Sequence, residues 1–183
     1  MIMNAILTIY DRIIDTVTRL AGAWLLPTFA RFAFAAVLLL YFWNSAKTKT
    51  GDGIFGIFSP NDSAYIQMFP KIFDAVGYDS SAMSSIYTVI AALGTAAEYV
   101  LPFLILIGLL TRIAAFGMIG FILVQSFVDK TGHDLDAATF GAWFDRISNS
   151  LVMDQRLLWT TLLVTLVVKG AGPLSVDRIL KIR

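Results

Sequence analysis

The stretch SSIYTVIAALGTAAEYVLPFLILI, residues 84–107, carries one charge, Glu98, over a length that suffices to cross a bilayer. About 20 mostly apolar helical residues span the hydrocarbon core, and about 17–25 are tolerated. The same pattern recurs outward from it in both directions. From Leu20 to Ala46 the only charge is Arg31, Ile113 to Val128 carries none, and Leu157 to Val168 is uncharged between Arg156 and Lys169. These runs predict four transmembrane helices, near 24–44, 84–107, 110–128 and 152–170, within a single domain over 1–183. The fourth has the shortest uncharged centre and needs its two flanking cations to snorkel to the interfaces. The fold class expected is an all-α membrane protein, a four-transmembrane-helix bundle.

Composition agrees with this. Apolar residues make up 57% of the 183 and charged residues only 15%, with a mean hydropathy of +0.74, against about 45–50% and about 25% in soluble domains. Fourteen Lys+Arg against 13 Asp+Glu leave a formal charge of +1, which argues against nucleic acid as a partner. With no cysteine, disulfides, Cys-ligated zinc and iron–sulfur clusters are excluded within the chain. A single histidine, His133, removes most haem and His-metal schemes.

Residues 1–22 hold Asp11, Arg12, Asp15 and Arg19 and lack the uninterrupted apolar core and cleavage site of an export signal. Ile6, Ile9, Ile13, Ile14, Val17 and Leu20 fall at helical spacing opposite Asn4, Thr8, Asp11, Asp15 and Arg19. Such a pattern predicts an amphipathic helix over 4–20, lying in the membrane interface or packed against the bundle. With four spans, both termini and the turn after the second helix share one side, which holds seven cations against three acids; the other holds six against nine. The cation-rich flanks, the C-terminal tail above all, place both termini in the cytoplasm. Residues 45–82 contain Phe55, Phe58, Tyr65, Phe69, Phe73 and Tyr78, interrupted by Pro60 and Pro70, and are expected to fold back as a cap on the outer mouth. Gly170-Ala-Gly-Pro173 ends the fourth helix, and Ser175 is placed to cap a short helix with Asp177 in its first turn.

Three stretches carry a family resemblance: Ala30-Arg-Phe-Ala-Phe-Ala-Ala36; Glu98-Tyr-Val-Leu-Pro102 leading to Ile107-Gly-Leu-Leu-Thr-Arg-Ile-Ala-Ala115; and Lys169-Gly-Ala-Gly-Pro-Leu-Ser-Val-Asp177. Together they resemble the DoxX family of small four-helix bacterial membrane proteins, over roughly 24–180. The acidic loop before the fourth helix, with Trp143 and Asp145, resembles an alphaproteobacterial branch. The resemblance implies a bacterial inner membrane and an association with redox systems that meet the quinone pool. The expected company is a homo-oligomer, or other membrane or periplasmic subunits.

Charges within a bilayer cost about 2.5–3.5 kcal/mol even on the lenient insertion scale, which singles out Arg31 and Glu98. Counted from the expected helix ends, they lie at depths of about 10 and about 14 Å, so an intramembrane ion pair between them is expected. Small residues flank both, Gly94, Ala96 and Ala97 beside Glu98, Ala30, Ala33 and Ala35 beside Arg31, and let two backbones approach. Such a pair either locks two helices together or does chemistry, with Glu98 handling a proton and Arg31 and Glu98 holding a quinone head or another small polar ligand. Tyr41 and Asn44, with Trp43, Lys47 and Gln125, are candidates to line the ligand site, although interface anchoring also accounts for the Tyr, Trp and Lys. His133-Asp134-Leu-Asp136 offers one imidazole and two carboxylates, a pattern that loop polarity explains better than a metal. Arg112 suits a phospholipid headgroup, but the positive-inside rule accounts for it. The candidate functions are a redox-associated membrane subunit, a non-catalytic scaffold subunit and, in third place because no half-to-half repeat is evident, a small transporter that would need to oligomerise.

Overall fold

The computed structural model describes residues 2–53 and 55–182, which form helices joined by turns, with no strand among them. The chain begins as one long helical rod. Helix α1 (Ile2–Leu20) passes through a π turn (Ala21–Leu25) into α2 (Leu26–Phe34), then through a second π turn (Ala35–Leu39) into α3 (Leu40–Lys49). The first π turn precedes Pro27, whose ring would otherwise strike the carbonyl one turn back. The second serves the core. Ala30, Phe34, Leu38, Phe42 and Ala46 are all buried at a constant spacing of four residues, which in a straight α-helix would drift by about 40° per step. A local wide turn keeps the stripe on one face.

The cap follows. A short 3₁₀ turn (Gly56–Phe58), α4 (Asp62–Met68), α5 (Pro70–Ala75) and another 3₁₀ turn (Ser80–Ala82) lead into α6 (Ser85–Ile107). The chain reverses through Gly108 into α7 (Thr111–Thr131), passes α8 (Ala137–Phe140), returns as α9 (Met153–Lys169) and ends in α10 (Val176–Ile179). Helix α6 packs on α3 and α7, and α9 packs on α2 and α7. Their shared core is Phe34, Leu38, Phe42, Ile105, Met118, Ile122, Leu163 and Leu166. A second cluster under the cap joins Tyr65, stacked on Phe73 at 5.5 Å, to Phe69, edge-on to Tyr87 at 4.9 Å. At α8 the Thr139 hydroxyl, and then backbone N–H groups, hold the Asp136 carboxyl below the usual carboxylate range. That capping contribution is present above the ordinary Asp pKa and is lost as pH falls through the lowered one.

Three helical segments are long and apolar enough to cross a membrane: Ile6–Lys49, Ser85–Ile107 and Thr111–Thr131. The stretch expected as the fourth span is a packed helix of 17 residues. Helix α1 is continuous with the rod rather than set off from it, and its apolar stripe is exposed rather than packed on the bundle. The cap starts after Lys49 instead of at 45, because α3 runs one turn further than its apolar content indicates. Phe55, Phe58 and Tyr78 stay exposed; the cap buries only the aromatics carried by α4 and α5.

The end opposite the cap is closed by a clasp. Helix α6 stops at Gly108 (φ 70°), where Leu109 N–H turns back to the Leu104 carbonyl, a left-handed termination that favours glycine. A β-carbon there would lie 2.6 Å from Ser175 Cβ and 2.9 Å from Arg31 Cζ. The Asp177 carboxylate accepts Leu110 N–H at 2.7 Å and Thr111 N–H at 2.9 Å, so it caps α7 from the far end of the sequence, while its own N–H donates to the Gly108 carbonyl. Ser175 caps α10 through the Arg178 N–H, as its position in the sequence indicates. Losing an N-cap acceptor costs about 0.5–2 kcal/mol. We expect Asp177→Ala to lower the thermal unfolding midpoint in detergent accordingly, Asp177→Asn to lower it less, and the tail to become the first site of limited proteolysis.

Candidate ligand cavity and its buried ion pair

Glu98 lies midway along α6, 3% exposed, and its partner is Lys49 rather than Arg31. The Lys49 ammonium donates to Glu98 Oε2 at 2.8 Å and Oε1 at 3.0 Å, and to Ser45 Oγ and the Ser45 carbonyl at 2.6 and 3.1 Å. Ser45 in turn donates to Glu98 Oε1 at 3.2 Å. The geometry follows from the sequence spacing. Ser45 and Lys49 are one helical turn apart, so both face α6, and Lys49 terminates α3 where the last carbonyls favour a cation.

The expected Arg31–Glu98 pair does not form. Trp43 Nε1 donates to the Tyr99 carbonyl at 3.1 Å, which sets the register of the rod against α6 and brings Glu98 level with Ser45. Arg31 lies about 20 Å further along the rod at about 1.5 Å per residue. Its guanidinium instead serves the clasp: Nε donates to the Ile105 carbonyl at 3.0 Å, Nη2 to Leu106 at 2.5 Å, and Nη1 to Ala171 and Leu174 at 3.0 and 2.5 Å.

Beside the Lys49–Glu98 pair is a cavity of about 480 Å³ bounded by α6, α7 and the cap. Most of its wall is apolar. Leu93 of α6 and Val124 of α7, exposed on the outside of the bundle, form part of that wall, so the cavity opens sideways between these helices. Glycines make the room. Gly94 receives Met68 of the cap, whose Cε would lie 2.8 Å from a β-carbon there; at Gly120 a β-carbon would meet nothing within 4 Å. Gln125 donates to the Tyr41 hydroxyl at 3.1 Å, while its Oε1 is buried without a partner among the described residues. Tyr41 thus reaches the site only through Gln125, packing its ring on Trp159 at 5.4 Å, and Asn44 is exposed away from the cavity wall. At the rim, His133 Nε2 hydrogen-bonds the Gln67 carbonyl at 3.0 Å, and Lys71 pairs with Asp134 at 2.8 Å, joining the cap to the end of α7. Arg156, 8% exposed, pairs with Asp129 on the cavity wall and donates to Ser126 Oγ at 2.8 Å.

Lys49, Asp129 and Arg156 are the polar residues that a reading of charges within uncharged runs passes over, because each stands just outside its run. The available signal is the buried stripe itself: continued from Phe42 and Ala46, it reaches Lys49. No protein-family model, characterised protein or solved structure matches the chain.

A half-removed buried pair leaves an uncompensated charge, costing about 3–5 kcal/mol, whereas replacing both members with neutral groups costs far less. We expect Lys49→Met to depress the unfolding midpoint more than the Lys49→Met/Glu98→Gln double variant does, read by tryptophan fluorescence in detergent.

Proposed function

We propose that this chain is a DoxX-like integral membrane protein and a redox-associated subunit that binds the head of a quinone-class ligand, with Glu98 as the proton acceptor. In this reading α9 is the fourth span, both termini are cytoplasmic, and the membrane is the bacterial inner membrane. The family reading is supported by convergence: residues from all three resembling stretches, Arg31, Gly108 to Thr111 and Ala171 to Asp177, meet in the clasp.

The observation that carries the ligand reading is the hydrogen-bond account of Glu98. A carboxylate has about four acceptor positions; Ser45 and Lys49 fill two on Oε1 and one on Oε2, so Oε2 retains one. Lys49 has three N–H groups and four acceptors around them, so it has none to spare. The site therefore suits a ligand that donates, such as the hydroxyl of a quinol, with an apolar body in a cavity of ligand size that opens toward lipid. A bound quinol would donate one hydroxyl to Glu98 Oε2 and leave that proton there on two-electron oxidation, the other hydroxyl giving its proton to water at the open side of the cavity. The electrons pass to a redox group on a partner subunit, since this chain has no cysteine to hold a cluster.

The saturation of Lys49 favours a second reading, a non-catalytic scaffold subunit in which the pair only fastens the end of the rod to α6. Native mass spectrometry with extraction of bound lipids, on protein taken gently from its own membrane, separates the two. We expect quinone-class ligand at about one per chain, reduced strongly by Gly120→Leu, which fills the cavity from a position with no neighbour within 4 Å, and by Glu98→Gln. Partner polypeptides with no small ligand give the scaffold; equal quinone content in Gly120→Leu and wild type places the ligand elsewhere.

A further inference from the structure

At the other end of the bundle the clasp borders a second cavity, of about 560 Å³, between the rod, the start of α7 and the tail that follows α9. Three cations, Arg112, Lys169 and Arg178, stand on its wall with one acid, Asp177. Asp177 forms no ion pair with them, since its two oxygens accept the N–H groups of Leu110 and Thr111, and its single charge leaves the three cations in excess. For the same reason the N-terminus of α7 is already occupied and contributes nothing to a ligand.

Arg112 fixes one arm only. Its Nη1 donates to the Val167 and Val168 carbonyls at the end of α9. Nε and Nη2 lie against Gly170, where a β-carbon would approach both to 3.4 Å. The Lys169 ammonium lies beside the rod, 3.9 Å from where a β-carbon at Gly22 would stand, and neither Lys169 nor Arg178 has a side-chain hydrogen bond or ion pair among the described residues. Thr111, on the same wall, keeps a buried hydroxyl without a partner among them. Uncompensated positive charge in a concave site attracts a counter-anion. A flat guanidinium and an ammonium approaching from different sides suit a tetrahedral oxyanion with several acceptors better than a planar carboxylate. Trp24, 53% exposed beside the cavity, is a residue of the membrane–water boundary, where basic clefts between helices take lipid headgroups.

We propose that this cavity binds a phosphate-bearing anion, the phosphodiester of an anionic phospholipid headgroup or free phosphate, through Arg112, Lys169 and Arg178. This site is independent of the reading given to Glu98.

The test uses the full chain, purified in neutral detergent and stripped of lipid. It is titrated separately with short-chain phosphatidylglycerol, phosphatidylcholine of the same chains, and sodium phosphate, and binding is followed by native mass spectrometry and thermal shift. Phosphatidylglycerol is expected to bind and stabilise more than phosphatidylcholine. The Lys169→Ala/Arg178→Ala variant, which touches no clasp bond, is expected to weaken that binding on the order of tenfold or more, with an unchanged ligand-free midpoint. Stabilisation by sodium phosphate with the same residue dependence assigns the site to soluble phosphate; its absence assigns it to the lipid headgroup. Equal binding of the two lipids with no response to phosphate, or equal affinities in wild type and variant, overturns the proposal. If the double variant does not fold, Arg178→Gln at its exposed position gives the same comparison.

Discussion

Helices that end away from water must find donors for their last carbonyls, and in this bundle one guanidinium supplies them at the end of α6 while holding the tail that follows α9. Arg31 reaches from the rod to Ile105 and Leu106 at the end of α6, and to Ala171 and Leu174 in the tail that follows α9. Asp177 answers from the opposite charge, accepting the N–H groups that the α6–α7 turn leaves open. Together these bonds tie the rod, the α6–α7 turn and the tail at one end. With that end fixed, the heights of α6 and α9 against the rod are fixed too, and both cavities take their walls from the result.

The apolar runs were enough to locate the helices, since burial in lipid or in a core demands long uncharged stretches in either case. Gly108, Gly170 and Ser175 also announce their turns and caps, because backbone geometry admits few residue types there. The partners of Arg31 and Glu98 were not legible. Depth along a helix is counted from its end, and the rod continues to Lys49, past the Asn44 at which its apolar content runs out. Which carbonyls Arg31 meets depends on packing between elements far apart in the chain, set by contacts such as Trp43 on Tyr99. The exposed stripe on α1 shows the same limit in reverse: amphipathic spacing predicts a helix with an apolar face, and says nothing about what that face meets.

The two ends of the bundle solve their electrostatics in different ways. At the cap end the buried charges occur as matched pairs, Lys49 with Glu98 and Arg156 with Asp129, so the cavity beside them has an apolar wall and little net field. At the clasp end the one acid accepts from backbone N–H groups rather than pairing with a cation on the wall, and the cations outnumber it. One chain thus presents a nearly neutral chamber facing sideways and a positive one at its end, a division that suits two ligands of unlike chemistry.

The rod that links these chambers is a single shaft, since Arg31 and Lys49 belong to one uninterrupted helix. Their rotation about the rod's axis relative to one another is therefore set by the helix between them, the wide turn at Ala35–Leu39 included. A π turn is an α-helix with one residue too many, so that turn is the shaft's only slack between the two anchors. Deleting a single residue there would restore ordinary α geometry and leave Arg31 and Lys49 facing as they do, whereas the same deletion in the α segments on either side would rotate one cation by about 100° relative to the other.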